Sequence, residues 1–208
     1  MKINSINILL ITICCFCFQS CSGPNPNPGE RTADLAWYNG KYDEALKIIK
    51  EKADKGMPWA QLRMGVAYQL GIGAKQEFES ALKWYKKVAI QKKDGGWANG
   101  KMIGYLGKSG YFNQNSDAMI AQYQISLIYL NSNKKYEDII KAYLWANYVF
   151  TESKGKNIFY CCEFMGGRSV MQSQIKETLS EIDKKITKDQ RNKAEDILRT
   201  WTPSAEFN

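Results

Sequence analysis

The chain has 208 residues, a formal net charge of +8 and no histidine. Without histidine there is no Ser-His-Asp or Cys-His catalysis, no imidazole ligand for zinc, and no general base of ordinary pKa near neutrality. The length suffices for one domain or one short repeat array.

The first 20 residues have the form of an export signal. Lys2 supplies a short positive region, and Ile8 to Phe18 form an apolar run broken only by Thr12. That run is too short for a transmembrane helix and suits a signal-peptide core. It ends in Phe18-Gln19-Ser20-Cys21, followed by Ser22-Gly23-Pro24-Asn25-Pro26-Asn27-Pro28-Gly29. This stretch resembles the lipobox of bacterial lipoproteins, with Gln19 standing where a small or apolar residue is usual. The resemblance implies a signal peptide over 1–20, cleavage before Cys21, and lipidation of Cys21. Two or three acyl chains hold a protein on a bilayer far more firmly than one. Ser22 stands where an Asp retains lipoproteins at the inner membrane of enteric bacteria. By resemblance the expected place is therefore the outer membrane, facing the periplasm. The alternative is an ordinary secretory signal with Cys21 as a bystander. Residues 21–29 are rich in Pro, Asn and Gly and read as a spacer.

Residues 30–208 read as one repeat domain, because the chain echoes itself. Ala60-Gln61-Leu62-Arg63-Met64-Gly65-Val66-Ala67-Tyr68 returns as Ala121-Gln122-Tyr123-Gln124-Ile125-Ser126-Leu127-Ile128-Tyr129. In each copy an Ala follows 21 positions after the first Ala, and a Trp after 24: Ala81 and Trp84, then Ala142 and Trp145. Repetition of a unit of this size is the mark of a helical solenoid, in which no hairpin buries its apolar face alone. In the first copy, 57–91, Ala60, Met64, Ala67 and Tyr68 share a helical face. Pro58 suits a first turn, and Gly71-Ile72-Gly73 ends the helix. A second helix is expected from about Glu77 to Gln91. Small residues at Ala60, Gly65, Ala81 and Ala89 allow close helix approach.

The unit resembles the Sel1-like repeat, a relative of the tetratricopeptide repeat. The matching residues are Ala60, Met64-Gly65, Tyr68, Gly71-Ile72-Gly73, Ala81, Trp84-Tyr85 and Val88-Ala89. The second copy, 121–152, keeps Ala121, Tyr129, Ala142 and Trp145. Its Gly65, Gly71 and Gly73 positions hold Ser126, Ser132 and Lys134, which leaves Asn131 or Asn133 for the left-handed cap. Its Tyr85 and Ala89 positions hold Ala146 and Phe150. A partial copy precedes both, since Ala45 lies 36 residues before Ala81 and Ala53 takes the place of Ala89. Residues 30–56 therefore read as an N-terminal capping hairpin. The resemblance implies an all-α fold: a short α/α solenoid of antiparallel helix hairpins, a Sel1-like or TPR-like superhelix.

Between the two clear repeats lies an insert, 92–120; the excess of chain falls near Gln91–Ser116, which holds six Gly and the aromatics Trp97, Tyr105, Tyr111 and Phe112. Six glycines disfavour a long helix. One reading makes these four aromatics the anchors of a partner-binding face, since inserts in arrays emerge on one side. The other makes them the core of a degenerate hairpin. The C-terminal region, 153–208, starts with an irregular stretch, Thr151 to Gly167. A helix is then expected from Ser169 to Ile186. Thr187-Lys188-Asp189-Gln190 reads as a capping box. It opens a last helix with Ala194, Ile197, Leu198 and Trp201 on one face, stopped before Pro203.

Of six cysteines, Cys14, Cys15 and Cys17 leave with the signal. Cys161 and Cys162 form either a strained vicinal disulfide or two small buried apolar side chains. Two adjacent thiols with no histidine make no metal site, and no cofactor motif is present: Gly71-Ile72-Gly73 follows a helix, not a strand. The lysines come in pairs along helices, which reads as solvated surface or as a preference for acidic partners. Nucleic acid is not an expected partner of an exported chain without a binding motif. The sequence thus points to a non-catalytic module, held at the membrane by its N-terminal lipid and docking a protein in the periplasm. Small exported Sel1-like lipoproteins resemble immunity proteins that neutralise secreted toxins, including lipase effectors, so a toxin is one expected partner. The alternatives are a scaffold of an envelope assembly, or an envelope enzyme using carboxylates or Cys161 and Cys162.

Overall fold

The computed structural model describes residues 28–91, 116–131, 138–158 and 169–206. Across these residues the protein is all-α. Eight α-helices follow one another: α1 (Pro28–Tyr38), α2 (Tyr42–Asp54), α3 (Pro58–Leu70), α4 (Phe78–Ala89), α5 (Ser116–Asn131), α6 (Ile139–Glu152), α7 (Gln172–Lys185) and α8 (Lys188–Leu198). A short 3-10 turn, Pro203–Glu206, comes last. From α1 to α7 each helix packs on the next. In addition α3 packs on α5, α5 on α7, and α6 on α8. Neighbour-to-neighbour stacking of hairpins is the architecture of a helical-repeat solenoid.

The element boundaries follow local chemistry. Pro28 and Gly29, read from sequence as the end of the spacer, form the first turn of α1. Proline is at ease there because a first-turn N–H has no helical partner to lose. Ser116 to Ile120, read as the end of the insert, belong to α5. Gly71 closes α3 in the left-handed conformation with φ 70°. Helix α7 begins at Gln172 rather than Ser169, because Val170 is held in an antiparallel bridge to Ile158. The capping box at α8 forms as expected: Gln190 N donates to Thr187 Oγ1 at 3.3 Å, and Thr187 N donates to Gln190 Oε1 at 3.0 Å.

The repeat alanines explain the stacking. Ala60, Ala81, Ala121 and Ala142 are all fully buried, and so is Trp145. Trp84 joins Trp59, Ile49 and Met64 in an apolar cluster between the capping hairpin and the first repeat. Trp145 belongs to the larger cluster that runs from α3 to α8. Each large side chain so buried stabilises by about 1.5–3 kcal/mol.

The first helix of each repeat is enclosed almost completely. Helix α3 buries every residue from Pro58 to Ala67, and α5 buries twelve of its residues. Enclosed polar side chains then need internal partners. Gln61 Nε2 donates to the Ala53 carbonyl at the end of α2, at 3.2 Å. Gln122 Nε2 donates to the Ala89 carbonyl at the end of α4, at 2.8 Å. These are the same position of the repeat making the same bond to the preceding hairpin. A second bond recurs: Glu77 N donates to Tyr68 O at 2.9 Å, and Asp138 N donates to Tyr129 O at 3.0 Å. The echo in sequence is thus an echo in hydrogen bonding.

Candidate functional site

Several residues singled out in the sequence lie outside the described residues. These are Cys21, the insert aromatics Trp97, Tyr105, Tyr111 and Phe112, and the pair Cys161 and Cys162. The repeat positions are described, and two of them, Tyr129 and Trp145, come together in a site that also uses residues no motif pointed to.

The site is built around the carboxylate of Glu206. After α8 the chain turns back: Trp201 N donates to the Ile197 carbonyl, and Ala205 N to the Thr202 carbonyl. Pro203 is buried, while Thr200, Thr202, Ser204 and Ala205 are exposed. The Trp201 ring meets Trp145 edge-on, with centroids 5.0 Å apart, and Tyr148 at 5.8 Å. Trp201, Pro203 and Glu206 therefore face the array.

Four side chains from three helices converge on Glu206. Tyr129 of α5 donates its hydroxyl to Oε1 at 2.7 Å. Trp145 of α6 donates its indole N–H to Oε2 at 2.5 Å. The ammonium of Lys86, on α4, lies 3.2 Å from Oε1, and that of Lys141, on α6, lies 4.0 Å away. The Glu206 side chain is 9 % exposed. Lys141 also sits over the Tyr129 ring and within 4.0 Å of Asp138. Charge-assisted bonds of this kind are shorter and stronger than neutral ones. Both carboxylate oxygens are occupied, so a buried anion is here matched by donors and by positive charge.

Electrostatics make Tyr129 a fixed donor. Burial first, then the hydrogen bond and charge of Glu206, push its phenol far above the ordinary tyrosine range. The raised phenol stays a donor to the carboxylate. Two neutral donors and two lysine side chains surround one carboxylate, so the site holds an anion.

The sequence concealed this site for a physical reason. Tyr129 and Trp145 are legible as repeat positions, but a repeat motif reports packing. Glu206, Lys86 and Lys141 carry no local pattern. In the first repeat the corresponding Tyr68 is half-buried and packs against both apolar clusters. The two neutral donors of the site thus come from the second repeat, while Lys86 comes from the first.

A second charged contact lies at the other end. Arg63 of α3, 1 % exposed, pairs with Asp34 of α1 and stacks 5.0 Å from the Trp59 ring centroid. It fastens the first helix onto the array. Among the described residues, no group of three or more Cys, Asp and Glu stands close enough to hold a metal ion, and no helix is long and apolar enough to cross a membrane. No family model, curated protein or solved structure matches this chain.

Proposed function

We propose that this protein is a non-catalytic protein-binding module of the Sel1-like kind, tethered to the bacterial envelope by lipid on Cys21. Its partner is a protein presenting acidic side chains, in the manner of an immunity protein that masks a secreted toxin such as a lipase effector. The observation that carries this reading is the Glu206 site, where repeat positions Tyr129 and Trp145 and two lysines receive a carboxylate on the solenoid. The excess of basic over acidic residues, smaller by Lys2 once the signal is removed, favours acidic partners through steering as well. The residue content agrees: a chain without histidine, and a site whose one phenol is locked in its neutral form, suits recognition.

The test is capture of the partner. The purified protein, immobilised and exposed to envelope and secreted fractions, is expected to retain one partner in stoichiometric amount. Co-expression is then expected to suppress that partner's toxicity. Failure to retain any partner from either fraction overturns the proposal. An open reading frame for a secreted toxin beside this gene separates the immunity reading from an envelope scaffold.

A further inference from the structure

The carboxylate in the site comes from the last described turn of the chain, whereas every donor that holds it comes from the helices of the array. The segment that delivers it is held at three side chains: Trp201 against Trp145 and Tyr148, the buried Pro203, and Glu206 itself. Beside these anchors Thr200, Thr202, Ser204 and Ala205 are exposed. A short segment anchored at three side chains, with exposed residues between them, opens at lower cost than the packed helices. The receiving site is the reverse. Tyr129 and Trp145 are buried side chains on packed helices, and losing Glu206 leaves a hydroxyl and an indole N–H without their acceptor beside two ammoniums. A buried donor stripped of its acceptor bears the full desolvation cost. The emptied site therefore demands an anionic acceptor of the same shape.

We propose that Glu206 is an internal ligand: Tyr129, Trp145, Lys86 and Lys141 form a docking site for an acidic peptide segment of the partner, and the chain's own C-terminal turn occupies it until displaced. This rests on the protein-binding reading above and adds to it the chemistry recognised and a threshold for recognition. Because the tail is tethered, its effective concentration at the site is roughly millimolar. Only a partner that also gains contacts elsewhere on the solenoid outcompetes it. The spacing on the tail, an aromatic at Trp201 and a carboxylate five residues on, defines the segment to expect: an aromatic residue packing on Trp145, then a Glu or Asp.

The experiment follows the indole N–H resonance of Trp145, assigned by Trp145→Phe, in the full protein and in a variant ending at Thr202. The probe is the acetylated peptide Pro-Ser-Ala-Glu-Phe-Asn. Truncation is expected to move the Trp145 resonance, and the peptide to restore it. The same peptide with Gln for Glu is expected to bind at least about tenfold more weakly, as is the Glu-bearing peptide to the full protein. If the truncated protein does not fold, Glu206→Gln in the full chain takes its place and is expected to bind the Glu peptide more tightly than the parent. Equal binding of Glu and Gln peptides, or equal binding by parent and opened variant, overturns the proposal. So does a folded variant that binds neither peptide. A partner captured equally well by parent and truncated protein sinks this inference alone. Absence of any partner sinks the wider reading, while the peptide titration still reports on the site.

Discussion

Gly65 and Tyr85 stand in such close contact that a side chain on Gly65 has no room unless Tyr85 moves. A Cβ placed on Gly65 would lie 2.3 Å from Tyr85 Cε1. Tyr85 is fully buried, and its hydroxyl donates to Gln69 Oε1 at 2.5 Å. The equivalent positions of the second repeat hold Ser126 and Ala146, both fully buried. One hairpin has glycine and tyrosine at these positions, the other serine and alanine. What reads in sequence as decay of the second repeat is a paired exchange of volume.

A mutational cycle tests that pairing. Gly65→Ser alone is expected to cost about 1–3 kcal/mol through overpacking, and Tyr85→Ala alone about 3–5 kcal/mol through the cavity it leaves. The double variant recreates the second-repeat pair. It is expected to be more stable than the sum of the two losses by about 1 kcal/mol or more. Urea unfolding of the four proteins measures this, and simple additivity would show that the two positions are independent.

Gln61 and Gln122 tie each repeat to the hairpin before it. Gln122→Leu, similar in volume, is expected to destabilise by about 1–3 kcal/mol, because the buried Ala89 carbonyl loses its donor. Gln61→Leu is expected to behave likewise through Ala53, and additionally to remove one acceptor from Gln91, whose Nε2 donates to Gln61 Oε1 at 2.8 Å and to the Gly56 carbonyl at 3.3 Å. Denaturant midpoints of both variants give the comparison. A midpoint unchanged from the parent would deny these bonds their role.

The ion pair of Arg63 with Asp34 is expected to be the weak point of the N-terminal cap. Asp34→Ala leaves a buried guanidinium with one carboxylate fewer, at a cost of about 3–5 kcal/mol. Hydrogen exchange is expected to rise in α1 and the start of α2 while α5 and α6 stay protected. Uniform loss of protection along the chain would place the damage elsewhere.

Alkaline pH is expected to unfold the protein through its buried tyrosines. Burial raises Tyr85, Tyr123 and Tyr129 above the ordinary value of 10.0, and Glu206 adds to the rise at Tyr129. The sign follows from linkage. Above pH 10 the unfolded chain releases phenolic protons that the folded chain keeps, so stability falls as pH rises. The contribution is intact below the unfolded value and is lost progressively above it. Absorbance at 295 nm against pH should show these tyrosines ionising only together with unfolding. Their ionisation at ordinary pH in the folded state would contradict the burial.

Membrane attachment is expected to depend on Cys21. Cys21→Ser, or inhibition of lipoprotein signal processing, should release the protein from the membrane fraction without changing its helix content. Retention on the membrane after both treatments would remove the lipid anchor from the proposal.

Much of the architecture was legible in one dimension, because solenoid contacts are short in sequence. The spacing of Ala60, Ala81 and Trp84, repeated at Ala121, Ala142 and Trp145, reports helix-to-helix approach within a hairpin and its neighbour. The capping box at Thr187 and the left-handed cap at Gly71 are local backbone chemistry, and both were readable as such. What sequence could not convey was which side chains meet across the stack. Glu206 reaches Tyr129 over 77 residues and Trp145 over 61, and Asp34 reaches Arg63 over 29. Long-range polar contacts leave no periodic trace, since any acid or base on a surface helix looks alike until folding brings a partner to it. The sequence by itself determined a stack of helical hairpins and its order. Only the tertiary structure decided that the second repeat's Tyr129 and Trp145 hold a carboxylate, because that site exists only where three helices and the returning C-terminal turn come together.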